Sequence, residues 1–343
     1  MTSRMNSRLI SGALAGLVRA APGATAVTLA VLHDGEARVW CRGTESHGGP
    51  PVTEATTYEI GSVTKTFTAL LLADLAAQGH VGLDDPVDAH LFAAHRPRVR
   101  SGNPITLLHL ATHTSGLRHL PPGLIMRALP TWFTDPYAAF REEHFTRALR
   151  RTRVRRCPGT RLAYSNYGMA LLGRALCEST GIDYSTLLAE RVCRPLGLTA
   201  THCGPPPTGQ ATGHRASRPV PPLTLPALPA AGAIRSTGQD LLRYLHAHLQ
   251  PQATPLAAAL REVQKPRLRS RRNGDHLCLA WRLRHVGGTP FLFHSGTTRG
   301  FTTFTGYVPE TGTALAALAN TGPRRRNHFV QSAYTTLKDL VHR

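Results

Sequence analysis

Three short words most constrain what this chain can fold into. They are Ser62-Val63-Thr64-Lys65, Tyr164-Ser165-Asn166 and His294-Ser295-Gly296, in that order. Each is weak alone. Fifteen Ser and three Lys make a single S-x-x-K a modest coincidence, and His47-Gly48-Gly49 already supplies another H-x-G. The order, the spacing and the flanking text make the set informative. Any fold that uses all three must bring residues far apart in sequence to one place.

The residue types suit nucleophilic acyl transfer. On a helix, positions three apart share a face, so Ser62 and Lys65 can meet if a helix starts near Ser62. A serine hydroxyl is a poor nucleophile until a base takes its proton. The apolar text after Lys65 (Phe67, Leu70, Leu71, Leu72 and Leu75) predicts burial that would lower its pKa toward the ~7–8 a base needs. The helix start also offers a backbone N–H to a developing oxyanion. Tyr164 and Asn166 follow the turn-prone Pro158-Gly159 and fall on a loop. A tyrosinate stabilised by cations can relay a proton, and an amide can hold a carbonyl; alone, the pair would be a turn with a packed tyrosine. His294-Ser295-Gly296 ends an apolar stretch, where Gly admits a substrate backbone and His supplies a polar or cationic partner. Alone, His294 would be a satisfied histidine at a strand end.

Other chemistries find no text here. The chain has no G-x-S-x-G, G-x-G-x-x-G, Walker A or H-E-x-x-H word, so no cofactor is expected. Its six cysteines form no C-x-x-C, and buried free thiols are expected over a partial zinc site at Cys193, His202 and Cys203. The net charge of +20 comes from 37 Arg and only three Lys. The Arg runs at 150–156, 267–272 and 324–326 are not interleaved with aromatics, so solvated faces are expected and nucleic acid is not. No apolar run reaches membrane-span length.

Along the chain, Leu9 to Val18, preceded by Arg4 and Arg8, imitates a signal peptide but also fits a first helix. The retained helix is preferred, which points to a cytoplasmic protein, with export as the alternative. A strand from about Thr25 to Leu32, a turn at His33-Asp34-Gly35-Glu36 and a return strand through Val39 to Cys41 follow. Helices are expected from Ser62 to near Gly79, about 106–116, 138–150, 165–180, 184–193, Ser236–Leu249 and 325–342. Strands are expected at 277–285, 290–294, 301–308 and 313–319. Residues 120–136 read as an irregular rim, and the Pro-rich 204–232 as a surface linker or a wall of the cleft. Strands at both ends with helices between predict an α/β (α+β) chain. Residues 1–61 and 236–343 would form one discontinuous α/β domain, and 62–235 a mostly helical one.

At this point the chain resembles the serine β-lactamase and penicillin-binding-protein superfamily, in its class C β-lactamase and D-alanyl-D-alanine carboxypeptidase branch with esterase relatives. The resemblance spans roughly residues 8–340. Beyond the three words it rests on Tyr58-Glu59-Ile60-Gly61, Leu110-Ala111-Thr112-His113-Thr114-Ser115-Gly116-Leu117, Ala230 to Thr237 with Asp240-Leu241, and Gly300-Phe301. It implies an antiparallel sheet flanked by helices, an inserted all-α domain, and a site between them. It also implies that Ser62 is acylated, Lys65 and Tyr164 share proton transfer, and Asn166 holds the substrate amide. The backbone N–H groups of Ser62 and Thr297 would form the oxyanion hole, with His294, Ser295 and Gly296 beside the substrate. His294 stands where β-lactamases commonly carry lysine, which fits peptidase-like members. The expected activity is a serine hydrolase acting on a small ester, amide or β-lactam-like acyl substrate. A transferase using the same acyl-enzyme, or a non-catalytic binding protein, are the alternatives.

Overall fold

The computed structural model describes residues 7–99, 103–131, 134–154, 156–270, 273–324 and 327–342. Arg4, Arg155, Arg271, Arg272, Arg325 and Arg326, part of the basic text above, lie outside the described residues, as does the expected start of the last helix. The described arginines of the three runs are exposed. No described helix is long and apolar enough to cross a membrane.

The N-terminal hairpin, β1 (Ala26–His33) and β2 (Glu36–Gly43), turns on Asp34 and Gly35. Both have positive φ, 51° and 76°. Such a two-residue turn matches the twist of its strands, and it sets the register with His33 opposite Glu36. Six later strands complete an antiparallel sheet: β3 (Leu268–Arg269), β4 (His276–Leu277), β5 (Arg282–Val286), β6 (Thr289–Thr297), β7 (Thr302–Val308) and β8 (Thr313–Ala319). The spatial order is β3-β4-β5-β6-β7-β8-β1-β2, so the last long strand pairs with the first. The strand expected at 277–285 is split in two, because Ala280 takes a left-handed φ of 60° inside a turn closed by Cys278 N–H to Trp281 O. The strand expected at 290–294 instead runs on to Thr297, through the third word.

Both faces of the sheet are covered. Val27, Leu29, Val31, Leu315 and Ala317 face a core closed by α1 (Ser7–Ala20) and α5 (Phe329–Val341), which bury Ile10, Leu17, Phe329 and Leu337. The alternate residues Ala30, Ala314, Ala316 and Leu318 join a larger core with α2 (Thr64–Ala77), α3 (Asn166–Thr180) and α4 (Gly238–Leu249). This period-two division sends neighbouring residues of one strand into two cores. Thr237 caps α4, its Oγ1 accepting from Asp240 N–H at 3.1 Å.

Two expected helices are shorter. The one expected at 106–116 is Leu107–Ala111, opened by a Thr106–His109 capping box and ended by His113, whose φ is +56°. The one at 138–150 begins at Glu142. The Pro-rich segment holds a small hairpin, His214–Arg215 with Arg218–Pro219, and one helical turn, Pro229–Gly232.

Candidate active site

Glycine sets the nucleophile against the sheet. Ser62 sits in a tight turn, Gly61–Val63, that runs directly into α2. A Cβ on Gly61 (φ +50°) would lie 2.7 Å from Thr297 O, and one on Gly296 would lie 1.9 Å from Ile60 O. The turn and the end of β6 therefore meet backbone to backbone, an approach only glycine permits. This contact puts the Ser62 and Thr297 amides on facing segments.

Lys65 is one turn further along α2, in a stretch from Thr64 to Leu75 that is buried throughout. Its Nζ lies 3.0 Å from Ser62 Oγ and donates to Ala231 O at 2.6 Å. Burial alone pulls its pKa down to about 7, because a desolvated ammonium loses its water without gaining a counter-ion. The neutral amine has two N–H groups and a lone pair; with one N–H on Ala231 O, the lone pair can take the Ser62 proton.

Tyr164 donates to the same Ser62 Oγ at 2.7 Å, and Lys65 Nζ lies 5.0 Å from its ring centre. Burial pushes the phenol up to about 12, against the opposing Ser62 hydrogen bond and Arg282 charge. Tyr164 is therefore a phenol at neutral pH, not the tyrosinate the residue types allowed. The middle residue of its word explains its placement: Ser165 caps α3, accepting from Gly168 N–H at 2.8 Å and donating to Arg118 O at 2.6 Å. Asn166 is thereby the first residue of α3, and its side-chain oxygen is buried with no protein partner.

His294 is buried, and its pKa is driven down to about 3 by burial, then by the Lys65 and Arg282 charges. It is a neutral, polar group, and the cationic role allowed by sequence does not hold. Ser295 and Thr297 line the same space.

Ser62 divides that space into two cavities. One, about 490 Å³, is lined by Tyr164, His294, Ser295, His119, Phe293 and Arg282. The other, about 340 Å³, is walled by Leu223, Leu225 and Leu228, with Tyr137, Arg215 and Arg299. Ser62, Tyr137, Asn166 and Thr297 border both. The Pro-rich segment is thus a wall of the cleft, not a surface linker.

That wall is anchored by a pair the sequence reading quoted without a role. Glu59 and Arg235 face each other across a short antiparallel pairing and form an ion pair at 3.7 Å, both buried. Arg235 also donates to Gly204 O at 2.6 Å, Leu223 O at 2.9 Å and Gln210 Oε1 at 2.7 Å. Glu59 Oε1 accepts from Leu223 N–H at 2.7 Å. Burial raises the Glu59 pKa, with the Leu223 N–H and the Arg235 charge opposing it. Thr64 and Thr68 on α2 add bonds to Ile234 N–H and Ala230 O. The stretch Ala230 to Thr237 is therefore stitched to both the nucleophile strand and the nucleophile helix.

His113 also had no stated role. Its carbonyl accepts from Ala163 N–H at 2.8 Å, its Nδ1 accepts from Ser165 N–H at 3.3 Å, and its ring lies 4.4 Å from that of Tyr164. Burial, then the Lys65 charge, holds its pKa far below the usual value, so a neutral imidazole brackets the tyrosine.

The Beta-lactamase family model matches residues 14–337. The chain belongs to the Beta-lactamase family. It is 34% identical over 232 residues to the D-alanyl-D-alanine-carboxypeptidase/endopeptidase AmpH of Escherichia coli, an alignment covering 66% of this chain and 58% of that protein. A Beta-lactamase of Escherichia coli is 27% identical over 306 residues, covering 79% of this chain and 77% of that protein. A Beta-lactamase of Yersinia enterocolitica is 29% identical over 240 residues, covering 68% and 57%. Against AmpH and the Yersinia enzyme, the aligned stretch is thus under three-fifths of the relative's own length. The mixed fold, an antiparallel sheet with helices on both faces, is that of the family.

Proposed function

We propose that this protein is a serine hydrolase that forms an acyl-Ser62 intermediate on a small ester, amide or β-lactam-like substrate. The observation that carries this reading is the convergence of Lys65 Nζ and Tyr164 OH on Ser62 Oγ, with burial holding the lysine near neutrality. Neutral Lys65 takes the Ser62 proton as Oγ bonds to the substrate carbonyl carbon. The carbonyl electron pair moves to oxygen, where the Ser62 and Thr297 N–H groups stabilise it. As the pair returns, the bond to the leaving atom breaks, and that atom receives the proton through Lys65 and the Tyr164 phenol. Water then repeats the sequence, releasing the acid and restoring Ser62. Asn166 offers its amide to the substrate, beside the neutral His294.

The proton donor must face the leaving atom. Tyr164 borders only the 490 Å³ cavity, so that cavity takes the leaving group and the leucine-walled one takes the acyl group. Arg282, on the leaving-group side, has no ion pair among the described residues and suits a leaving group that carries a carboxylate. The carboxypeptidase and β-lactamase names of the relatives support an amide-type substrate. A cytoplasmic location is also proposed, with export as the alternative. Cell fractionation with intact-mass measurement tests that point.

The test of the activity is intact-protein mass spectrometry after incubation with a fluorophosphonate, a penicillin and a short-chain p-nitrophenyl ester. Wild type is expected to gain one acyl or phosphonyl adduct, and Ser62→Ala none, with turnover lower by about 10⁴-fold or more. Folded wild type that gains no adduct with any reagent contradicts the reading. Product transfer to an added amine or alcohol in place of water would identify a transferase.

A further inference from the structure

Tyr164 meets Ser62 Oγ at 2.7 Å, yet residues 161–165 belong to no helix or strand. Two histidines hold that irregular stretch. Tyr164 O accepts from His119 Nδ1 at 3.2 Å, and Ser165 N–H donates to His113 Nδ1 at 3.3 Å. These two main-chain groups belong to one peptide unit. The peptide between Tyr164 and Ser165 is therefore gripped at both ends by side chains. Because the unit is planar, fixing its two ends fixes the rotation on the carbonyl side of Tyr164 Cα. The neighbouring peptides are held as well: Ala163 N–H donates to His113 O at 2.8 Å, and Asn166 and Tyr167 N–H donate to His119 O at 2.9 and 3.2 Å. The Tyr164 ring lies 4.4 Å from the His113 ring and 5.7 Å from that of His119.

The grip sets the tautomer of each ring. A main-chain N–H can only donate, so His113 Nδ1 offers its lone pair and the proton is on Nε2. A carbonyl can only accept, so His119 Nδ1 carries a proton. One ring accepts and the other donates. The segment that carries them is itself anchored. His113 has a left-handed φ of 56° and gives its N–H to Leu110 O at 3.2 Å. Ala280 N–H, from the turn that splits the sheet strand, donates to Ala111 O at 3.0 Å. Further along, Gly159 N–H donates to Thr114 O at 2.9 Å, and Ser165 Oγ to Arg118 O at 2.6 Å. His113 is buried, whereas His119 is exposed and lines the 490 Å³ cavity.

We propose that His113 and His119 are a pair of positioning residues that grip the Tyr164–Ser165 peptide and so aim the Tyr164 phenol at Ser62, on the acyl-Ser62 reading in which that phenol passes the proton. Neither imidazole touches the reacting atoms in this role. Each acts through a main-chain group, and the phenol follows because its Cα is held. A displacement of about 1 Å at a reacting group costs about 10²-fold in rate, so the loss of one grip is expected to cost a measurable part of that.

A double-substitution cycle with Tyr164→Phe tests it. His113→Gly removes one ring and is at ease with the positive φ; His119→Ala removes the exposed one, where folding is not at risk. Each is expected to lower the first-turnover acylation rate at saturating p-nitrophenyl ester about tenfold, with little change in the half-saturating concentration. In Tyr164→Phe protein the same changes are expected to cost less than about twofold, because groups that act through one hydroxyl are not additive. His113→Asn keeps an acceptor and tolerates the left-handed φ, and His119→Asn keeps a donor. Both are expected to recover most of the lost rate. Fluorine NMR of protein labelled with 3-fluorotyrosine gives a readout independent of acylation. The resonance that disappears in Tyr164→Phe is expected to shift in His119→Ala further than in His119→Asn, which loses the same ring but keeps the donor. Equal rate losses with and without the Tyr164 hydroxyl overturn this inference and leave the hydrolase reading standing. So does a Tyr164 resonance that moves equally in the two His119 variants. Wild type that never forms an adduct, with the resonance moving as expected, supports the grip and overturns the hydrolase reading.

Discussion

The two cavities that meet at Ser62 are built differently. The polar one takes its chemistry from strand and helix: β6 carries His294 to Thr297, α2 carries Lys65, and the capped start of α3 carries Asn166 with Tyr164 just before it. The other takes its leucine wall (Leu223, Leu225 and Leu228) from the Pro-rich segment, outside its hairpin and helical turn, with Pro136 and Tyr137 beside it. Regular elements hold reacting groups to tight distances, and loops on that scaffold shape what is admitted. The difference teaches that the groups proposed for proton transfer and the wall proposed to receive the acyl group stand on opposite sides of one serine, with separate supports.

The largest way to break this comparison is at the support of the apolar side. Arg235→Leu leaves Glu59 buried without its ion partner and removes three donors from the Pro-rich wall. A loss of about 3–5 kcal/mol is expected, read as a lower denaturant midpoint, with the residual folded protein still acylated at Ser62. A neutral effect on stability would mean that the wall is held by something else. A smaller change sharpens the polar side. Tyr164→Phe removes one hydroxyl 2.7 Å from Ser62 Oγ and keeps the ring against His113. Turnover is expected to fall about 10²-fold with little change in thermal midpoint; an unchanged rate would remove Tyr164 from the proton path.

The same division decides what could be read from sequence. Ser62, Lys65, Tyr164, Asn166 and His294 to Gly296 were named from the order and spacing of three words that are weak singly, and Thr297 from the resemblance those words carry; the structure brings Ser62, Tyr164, Asn166, His294, Ser295 and Thr297 to one cavity, with Lys65 beside Ser62. Ser165 caps α3, Gly61 and Gly296 permit close approach, and Lys65 lies in a helix buried from Thr64 to Leu75. The hairpin at Asp34-Gly35 was legible for the same local reason. Arg282, Arg215 and Arg299 were not, since each is one of 37 arginines and only tertiary contacts select it. Glu59 and Arg235 lay in quoted text, but their pairing depends on strands that are 176 apart in the Glu59–Arg235 register. The break at Ala280 and the early stop at His113 are left-handed residues other than glycine, for which composition gives little warning.

The most direct test of the central claim is the rate of Ser62 acylation as a function of pH, followed by intact mass or by release of p-nitrophenol in the first turnover. Lys65 is the base only when neutral, so the rate should be low where the ammonium is protonated and rise as pH increases. A single ionisation near pH 7 is predicted, with about a tenfold loss per pH unit below it and a plateau above. That inflection should vanish in Lys65→Met protein, which retains only a residual, flat rate. A wild-type profile that is flat through pH 7, or that rises only near the pH where an ordinary lysine or tyrosine ionises, would contradict the account.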